Sequence, residues 1–193
     1  GEDTLSLHDA LPIWEQDMLG GLEIIESRSE GLNKFMQSYA RLAKLPAPSK
    51  QPCELAPLLR RIVTLEGRST VQLIEGPDLT VSMDAAQVEQ VLINLIKNAV
   101  EAAPESGQPG EPTCCVRVGW RKAPGQIEIY VEDDGPGIAN VQNLFVPFFT
   151  TKPSGSGIGL VLCRQIAENH GGSLTLENRE DATGCIARLR LPV

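Results

Sequence analysis

Three prolines, Pro46, Pro48 and Pro52, fall within the run LPAPSKQP and divide the 193-residue chain into two unequal parts. Proline fixes φ, removes a backbone donor and pushes the residue before it out of the helical region, so a helix does not pass through such a run. We read residues 47–52 as a stiff linker. On its N-terminal side Leu22, Ile25, Leu32, Met36, Tyr39 and Ala43 recur at threes and fours. A stripe of that kind belongs to a helix that packs against other helices. On the C-terminal side the periodicity changes. A helix (ELAPLLRRIVTLEG) leads to two short strand-like runs (VQLIE, LTVSM), a long helix from about Asp84 to Ala103 and two longer strands (TCCVRVGW, QIEIYVED). A Gly- and Phe-rich loop, a helix over about 158–169 and a last strand pair (SLTLEN, CIARLRL) complete it. Helices and strands mixed without strict alternation predict an α+β fold, a two-layer sandwich of one sheet and its helices.

Composition narrows the function classes. Hydrophobic residues make up 41% of the chain, enough for a real core, and the net charge is -8. The 17 Lys and Arg form no run or stripe, so nucleic acid is not an expected partner. The five cysteines (Cys53, Cys114, Cys115, Cys163, Cys185) make no C-x-x-C pair and have no histidine at metal-ligand spacing. Reduced, structural thiols are the simpler reading, and they favour a cytoplasmic location. No apolar run approaches the ~20 residues that cross a bilayer.

Polar and glycine-rich positions concentrate in three segments. In QVEQVLINLIKNAVEAA the stripe Val88, Val91, Leu92, Leu95, Ile96 and Ala99 is the buried face, while Gln87, Gln90, Asn94, Asn98 and Glu101 recur on another. Asparagine competes with the helix backbone for hydrogen bonds, so two of them one turn apart want a reason. Either this is a solvated face, or two amide oxygens stand ready for a hard cation beside phosphates. VEDDGPGI ends an apolar strand with Asp133, Asp134, Gly135 and Gly137. It is either a plain turn or a carboxylate placed to accept from an exocyclic amine, with glycines that let backbone approach a ligand. In LFVPFFTTKPSGSGIGLVLCRQIAENHGG a glycine loop opens a helix, presenting free amides and the positive end of its dipole to an anion. The loop follows no strand and lacks the G-x-x-x-x-G-K-[ST] pattern, so neither dinucleotide binding nor a P-loop fits. His170 closes that helix before a glycine turn, as a capping residue does.

In order and spacing, these segments resemble the N, G1, F and G2 boxes of the GHKL ATPase superfamily, in its histidine-kinase branch. The resemblance implies a catalytic and ATP-binding domain over residues 53–193 with a Bergerat-type fold, a mixed sheet covered by helices. It implies that Asn94 and Asn98 hold Mg2+ and phosphate oxygens and that Asp133 reads the adenine amine. Gly135, Gly137 and Ile138 would shape the adenine pocket. Phe145, Phe148 and Phe149 would sit in the ATP lid, although Phe145 serves equally as core. Thr151, Lys152, Gly155, Ser156, Gly157, Ile158, Gly159 and Leu160 would surround the phosphates, with Lys152 either reaching the terminal phosphates or simply solvated. Lys97 and Glu101 complete the implied ATP-binding set. Gyrase-type members carry a glutamate base at the position of Asn94; an amide cannot take a proton, so phosphoryl transfer to a protein is favoured over rapid hydrolysis. Where many histidine kinases have a Lys and an aromatic residue after the second Asn, this chain has Glu101 and Ala102. NAVEAA is similar to the nitrogen-regulation type of sensor kinase, which leaves the side chain that stacks on adenine unassigned.

The same resemblance makes residues 14–46 the second helix of a dimerisation and histidine-phosphotransfer hairpin, two copies of which build a four-helix bundle. The phospho-acceptor lies on the first helix in that family. His8 does not fit it: Pro12 and Gly20-Gly21 are expected to interrupt any helix there, leaving no room for a hairpin, and the proline comes four rather than five residues after the histidine. Thr4–Ile13 resembles instead the translation of a sequencing-library adapter, so residues 1–13 are read as non-native and the first helix as missing. No catalytic side chain is therefore assigned. The expected function is a Mg-ATP-binding catalytic fragment of a two-component sensor kinase. Its parent would be a homodimer that serves a response regulator receiver domain, with membrane attachment unassigned. The alternative is a non-catalytic nucleotide-binding module of the same superfamily.

Overall fold

In the computed structural model, the structure describes residues 7–43, 45–66, 71–102, 116–150, 152, 155, 157–180 and 182–193. Residues 1–45 and 46–193 form two separate compact units.

The first unit is one helix, α1 (Leu7–Ala43). It runs through positions 12, 20 and 21 without a break, contrary to the interruption expected there. A proline removes one intrahelical hydrogen bond and each glycine costs about 1 kcal/mol, and the good helix formers on both sides outweigh these penalties. A built Cβ at Gly20 or Gly21 meets nothing within 4 Å, so neither glycine is required by packing. Of the expected stripe, Leu22, Ile25, Leu32 and Met36 are all more than half exposed, as are Trp14, Met18, Leu19 and Ile24. The side chains of Tyr39 and Ala43 lie outside the described residues. No described helix is long and apolar enough to cross a membrane.

The second unit begins inside the proline run, which is not a free linker. β1 (Gln51–Glu54) pairs antiparallel with β3 (Thr80–Met83), Pro52 standing opposite Ser82. Proline is tolerated because the two-stranded ribbon leaves this strand at an edge. α2 (Leu55–Glu66) follows, then β2 (Val71–Ile74), β3, α3 (Ala85–Ala102), β4 (Val116–Ala123), β5 (Gln126–Asp133), α4 (Gly159–Asn169), β6 (Ser173–Asn178) and β7 (Cys185–Pro192). A turn of 3-10 helix, Val141–Asn143, interrupts the loop before α4. The five-stranded sheet has the order β2-β4-β5-β7-β6; β2 runs parallel to β4 and the other pairs are antiparallel.

Alternation along the strands sorts the two faces of the sheet. Val118, Trp120, Ile127, Ile129, Val131, Leu189 and Leu191 are buried, and they pack with the apolar stripes of α2, α3 and α4. The stripe of α3 is the one expected, with the addition of Gln87, which is buried rather than solvated and donates to the Pro46 carbonyl at 3.1 Å. On the opposite face the buried carboxylate of Glu128 meets Arg121, Arg188 and Arg190 at 2.6, 3.0 and 2.9 Å. A cross-strand charge set of this kind fixes register.

One hydrogen-bonded node ties the proline run to the two helices that flank the site. Asp84 caps α3, its Oδ1 accepting from the Ala86 and Gln87 amides at 3.1 Å, and its Oδ2 accepts from the Ser49 amide at 3.0 Å. His170, 2% exposed, is the C-cap of α4, as its place before Gly171 implied. Its Nε2 accepts from the Asp84 amide at 3.0 Å, which leaves the proton on Nδ1, 2.8 Å from the Ile166 carbonyl. The His170 carbonyl accepts from Lys50 Nζ at 2.8 Å. Gly171 (φ +79°) and the Gly172 amide, bonded to the Ala167 carbonyl at 2.9 Å, complete the helix stop.

Candidate functional site

A cavity of about 550 Å³ opens between α3, the ends of β5 and β7, and the loop that enters α4. Apolar residues line it (Leu95, Ala99, Val131, Leu176), and its polar residues form two hydrogen-bonded groups, taken as its two ends.

At the first end stands Asp133, the last residue of β5 and 5% exposed. Its Oδ1 accepts from the Gly135 amide at 2.9 Å and the Cys185 amide at 3.2 Å. Burial pushes the Asp133 carboxyl above the ordinary aspartate value, and these amides pull it back only in part. The adjacent Asp134 behaves oppositely. It points away into Arg117 (2.7 Å) and Arg179 (2.6 Å), and the Arg117 guanidinium holds its carboxyl below the usual range. Two neighbouring carboxylates are thus divided into one that faces the cavity and one that closes a structural ion pair. The glycines follow from close approach. A Cβ on Gly135 would lie 2.6 Å from the Ala102 carbonyl oxygen, and Gly137 takes φ +80° with Asn178 Oδ1 2.8 Å from its built Cβ. Asn178 Oδ1 also accepts from the Ile138 amide at 2.6 Å, holding the loop beside the cavity. The Cys185 thiol in the wall is pushed up to about 12, chiefly by burial, and stays protonated.

The second end carries Asn94, Asn98 and Glu101 on one face of α3 and Lys152 from the loop opposite. Asn98 Nδ2 donates to Asn94 Oδ1 at 3.0 Å, Lys152 Nζ donates to Asn98 Oδ1 at 2.9 Å, and Lys152 also pairs with Glu101. Gly155, Gly157 and Gly159 line the same end. A Cβ on Gly159 would sit 2.6 Å from Asn94 Nδ2, so glycine is what lets α4 start against α3. The N-cap of α4, Ile158, makes no side-chain capping hydrogen bond, and Gly157, Gly159 and Leu160 at this helix start line the cavity. Among the described residues no three His, Cys, Asp or Glu cluster to hold a metal. The oxygen donors at this end include the two asparagine amides, which suit a hard cation that keeps most of its ligands from water and phosphate.

Of the residues singled out from the sequence, the cavity gathers Asn94, Asn98, Glu101, Asp133, Gly137, Ile138, Phe149, Lys152, Gly155, Gly157, Gly159 and Leu160. Gly135 supports it from behind as the partner of Asp133, and Ile158 is buried core at the start of α4. Lys97 is exposed and does not line it, because it falls one residue off the Asn94–Asn98 row of α3. Phe148 is also outside the lining; it takes φ +69° and its amide donates to the Gly157 carbonyl at 3.0 Å, a backbone role. Phe145 lies under the Arg164 guanidinium, 5.0 Å from ring centre to Cζ. Thr151 and Ser156 lie outside the described residues. Asn140, Asn143, Leu144 and Thr150 line the cavity unanticipated. The local signal was Asn140, whose side chain caps the 3-10 turn by accepting from the Gln142 amide at 3.1 Å.

Residues 83–193 match the family described as histidine kinase-, DNA gyrase B-, and HSP90-like ATPases, and the chain belongs to that family. Its Bergerat-type sandwich is the fold expected from the sequence. Within the family its relatives are sensor histidine kinases. The sensor protein kinase PilS of Pseudomonas aeruginosa is 30% identical over 172 residues, which is 84% of this chain and 32% of PilS. The chain therefore spans about a third of the length of this curated relative. Among solved structures, the catalytic domain of the histidine kinase ThkA superposes with a TM-score of 0.63 at 30% identity, covering 75% of this chain and 95% of that one. ThkA in complex with the response regulator protein TrrA gives a TM-score of 0.66 at 25% identity over the whole of this chain and 52% of that one.

Proposed function

We propose that residues 46–193 bind Mg-ATP and donate its terminal phosphoryl group to a histidine of a two-component sensor kinase. The observation that carries this is the polarity of the cavity. A buried carboxylate acceptor, Asp133, stands at one end, and amide oxygens, a lysine and the start of α4 stand at the other. Adenine has an amine for the first end and a triphosphate suits the second. Mg2+ held by Asn94 and Asn98 would neutralise and orient the phosphates, with Lys152 at the terminal one. Asn94 offers no base to water, so hydrolysis is slow and a positioned nucleophile is required.

Neither histidine of this chain is that nucleophile. His170 is buried with both ring nitrogens engaged. His8 lies on the same unbroken helix as Leu22–Ala43, whereas the phosphotransfer hairpin places its acceptor on a separate, antiparallel helix. In the parent protein the partners are a second copy, through the stripe of α1, and a response regulator, as in the complex of ThkA. Free thiols at Cys53, Cys163 and Cys185 support a cytoplasmic location. The test is incubation with γ-labelled ATP and Mg2+, followed by acid and alkali treatment. We expect no phosphohistidine on this chain and only slow release of phosphate. Alkali-stable, acid-labile label that disappears in His8→Gln overturns the assignment of the acceptor.

A further inference from the structure

The contacts of Lys152 point to a role for Glu101 that the family resemblance does not assign. The Lys152 ammonium is turned toward α3, where it pairs with Glu101 and donates to Asn98 Oδ1 at 2.9 Å. Asn98 in turn donates to Asn94 Oδ1 at 3.0 Å. The chain of donors is directional, and its consequence is specific: the ammonium occupies the amide oxygen that a metal ion would need. It also spends on Glu101 the charge that a terminal phosphate would need.

We infer that Glu101 is a specificity-determining residue that sets how strongly the cavity prefers a nucleoside triphosphate to a diphosphate, by competing with the ligand for Lys152. The inference rests on the nucleotide reading of the cavity and deepens it. A nucleotide that ends at its second phosphate leaves Lys152 on Glu101. One with a third phosphate, carrying a cation onto Asn98, competes for the ammonium from both sides and draws it off. Glu101 and Lys152 side chains are 56% and 41% exposed, so the pair is a weak one that ligand charge can break. This pairing is available because Glu101 stands three residues beyond Asn98, on the same face as the asparagines.

The test is a double-mutant cycle on the full chain, by calorimetric titration with ATP and with ADP in the presence of Mg2+. Glu101→Gln keeps the shape and removes the charge; it should tighten ATP by about two- to fivefold, the range of an exposed ion pair, and tighten ADP less. Lys152→Met should weaken ATP. In the Lys152→Met background, Glu101→Gln should no longer favour ATP over ADP. Unchanged or weaker ATP binding in Glu101→Gln overturns the inference. So does an equal gain for ATP and ADP in both backgrounds, which would mean that only a repelling charge had been removed. Failure of the unaltered chain to bind either nucleotide overturns the cavity reading itself, and this inference with it.

Discussion

Asp133 is where fold and chemistry meet most closely. Burial raises its carboxyl above the ordinary value, and its Oδ1 accepts from the Gly135 and Cys185 amides. Asp133→Asn keeps the shape and replaces one acceptor oxygen by a donor. ATP binding should weaken by about 1.5–3 kcal/mol, the range for a hydrogen bond to a charged group, in a calorimetric titration. The pH dependence has a definite sign. The ionised carboxylate is the better acceptor, so ATP affinity should fall as pH drops through the raised value of Asp133, and this dependence should vanish in Asp133→Asn. His170 makes a different residue-scale claim. His170→Phe keeps an aromatic ring but strands the Asp84 amide, so urea unfolding should show a loss of about 1–3 kcal/mol, the cost of a buried unsatisfied donor.

At the scale of elements, α3 carries two loads: its apolar stripe builds the core and its asparagine row lines the cavity. Both were legible because each repeats at helical spacing over several turns. The pairs of strands from β4 to β7 were legible from their alternation. β1 was not, since Pro52 argues against a strand and only the edge position, a tertiary fact, permits it. The continuity of α1 was misjudged for a related reason: breakers at positions 12, 20 and 21 carry local penalties that a long helix absorbs. In the site, the glycines and Asp133 were legible through the order of the boxes. The loop residues Asn140, Asn143, Leu144 and Thr150 were not, because their place depends on how the loop folds back over α3. The N-terminus of α3 supports an acid-unfolding prediction. Asp84 and Asp134 are held below the ordinary aspartate value, Asp84 first by the Ser49 amide and Asp134 first by Arg117. Groups depressed in the folded state contribute stability above the unfolded value of about 3.9, and lose it as pH falls through the folded one. Asp133, raised, acts in the opposite sense. Thermal unfolding should therefore show stability falling below about pH 4. Asp84→Asn, which keeps a cap but no charge, should flatten that slope.

At the scale of the molecule, the two units make opposite demands. Residues 46–193 close their own core, whereas α1 exposes Trp14, Met18, Leu19, Leu22, Ile24, Ile25, Leu32 and Met36. Apolar surface of that extent on one helix calls for other helices. Among the described residues one copy supplies one such helix, so self-association should be weak or heterogeneous in sedimentation at micromolar concentration. A single sharp dimer would contradict this. Removal of residues 1–45 should abolish the association and leave nucleotide binding intact.

Whether one cavity holds both ends of a nucleotide is tested most directly by a crystal structure with Mg2+ and a non-hydrolysable ATP analogue. The adenine amine should lie within hydrogen-bonding distance of Asp133, the metal on the side-chain oxygens of Asn94 and Asn98, and the phosphates against Gly157 and Gly159. Lys152 should be drawn away from Glu101. A nucleotide bound elsewhere, or one lying in the cavity with its phosphates toward Asp133, would contradict it.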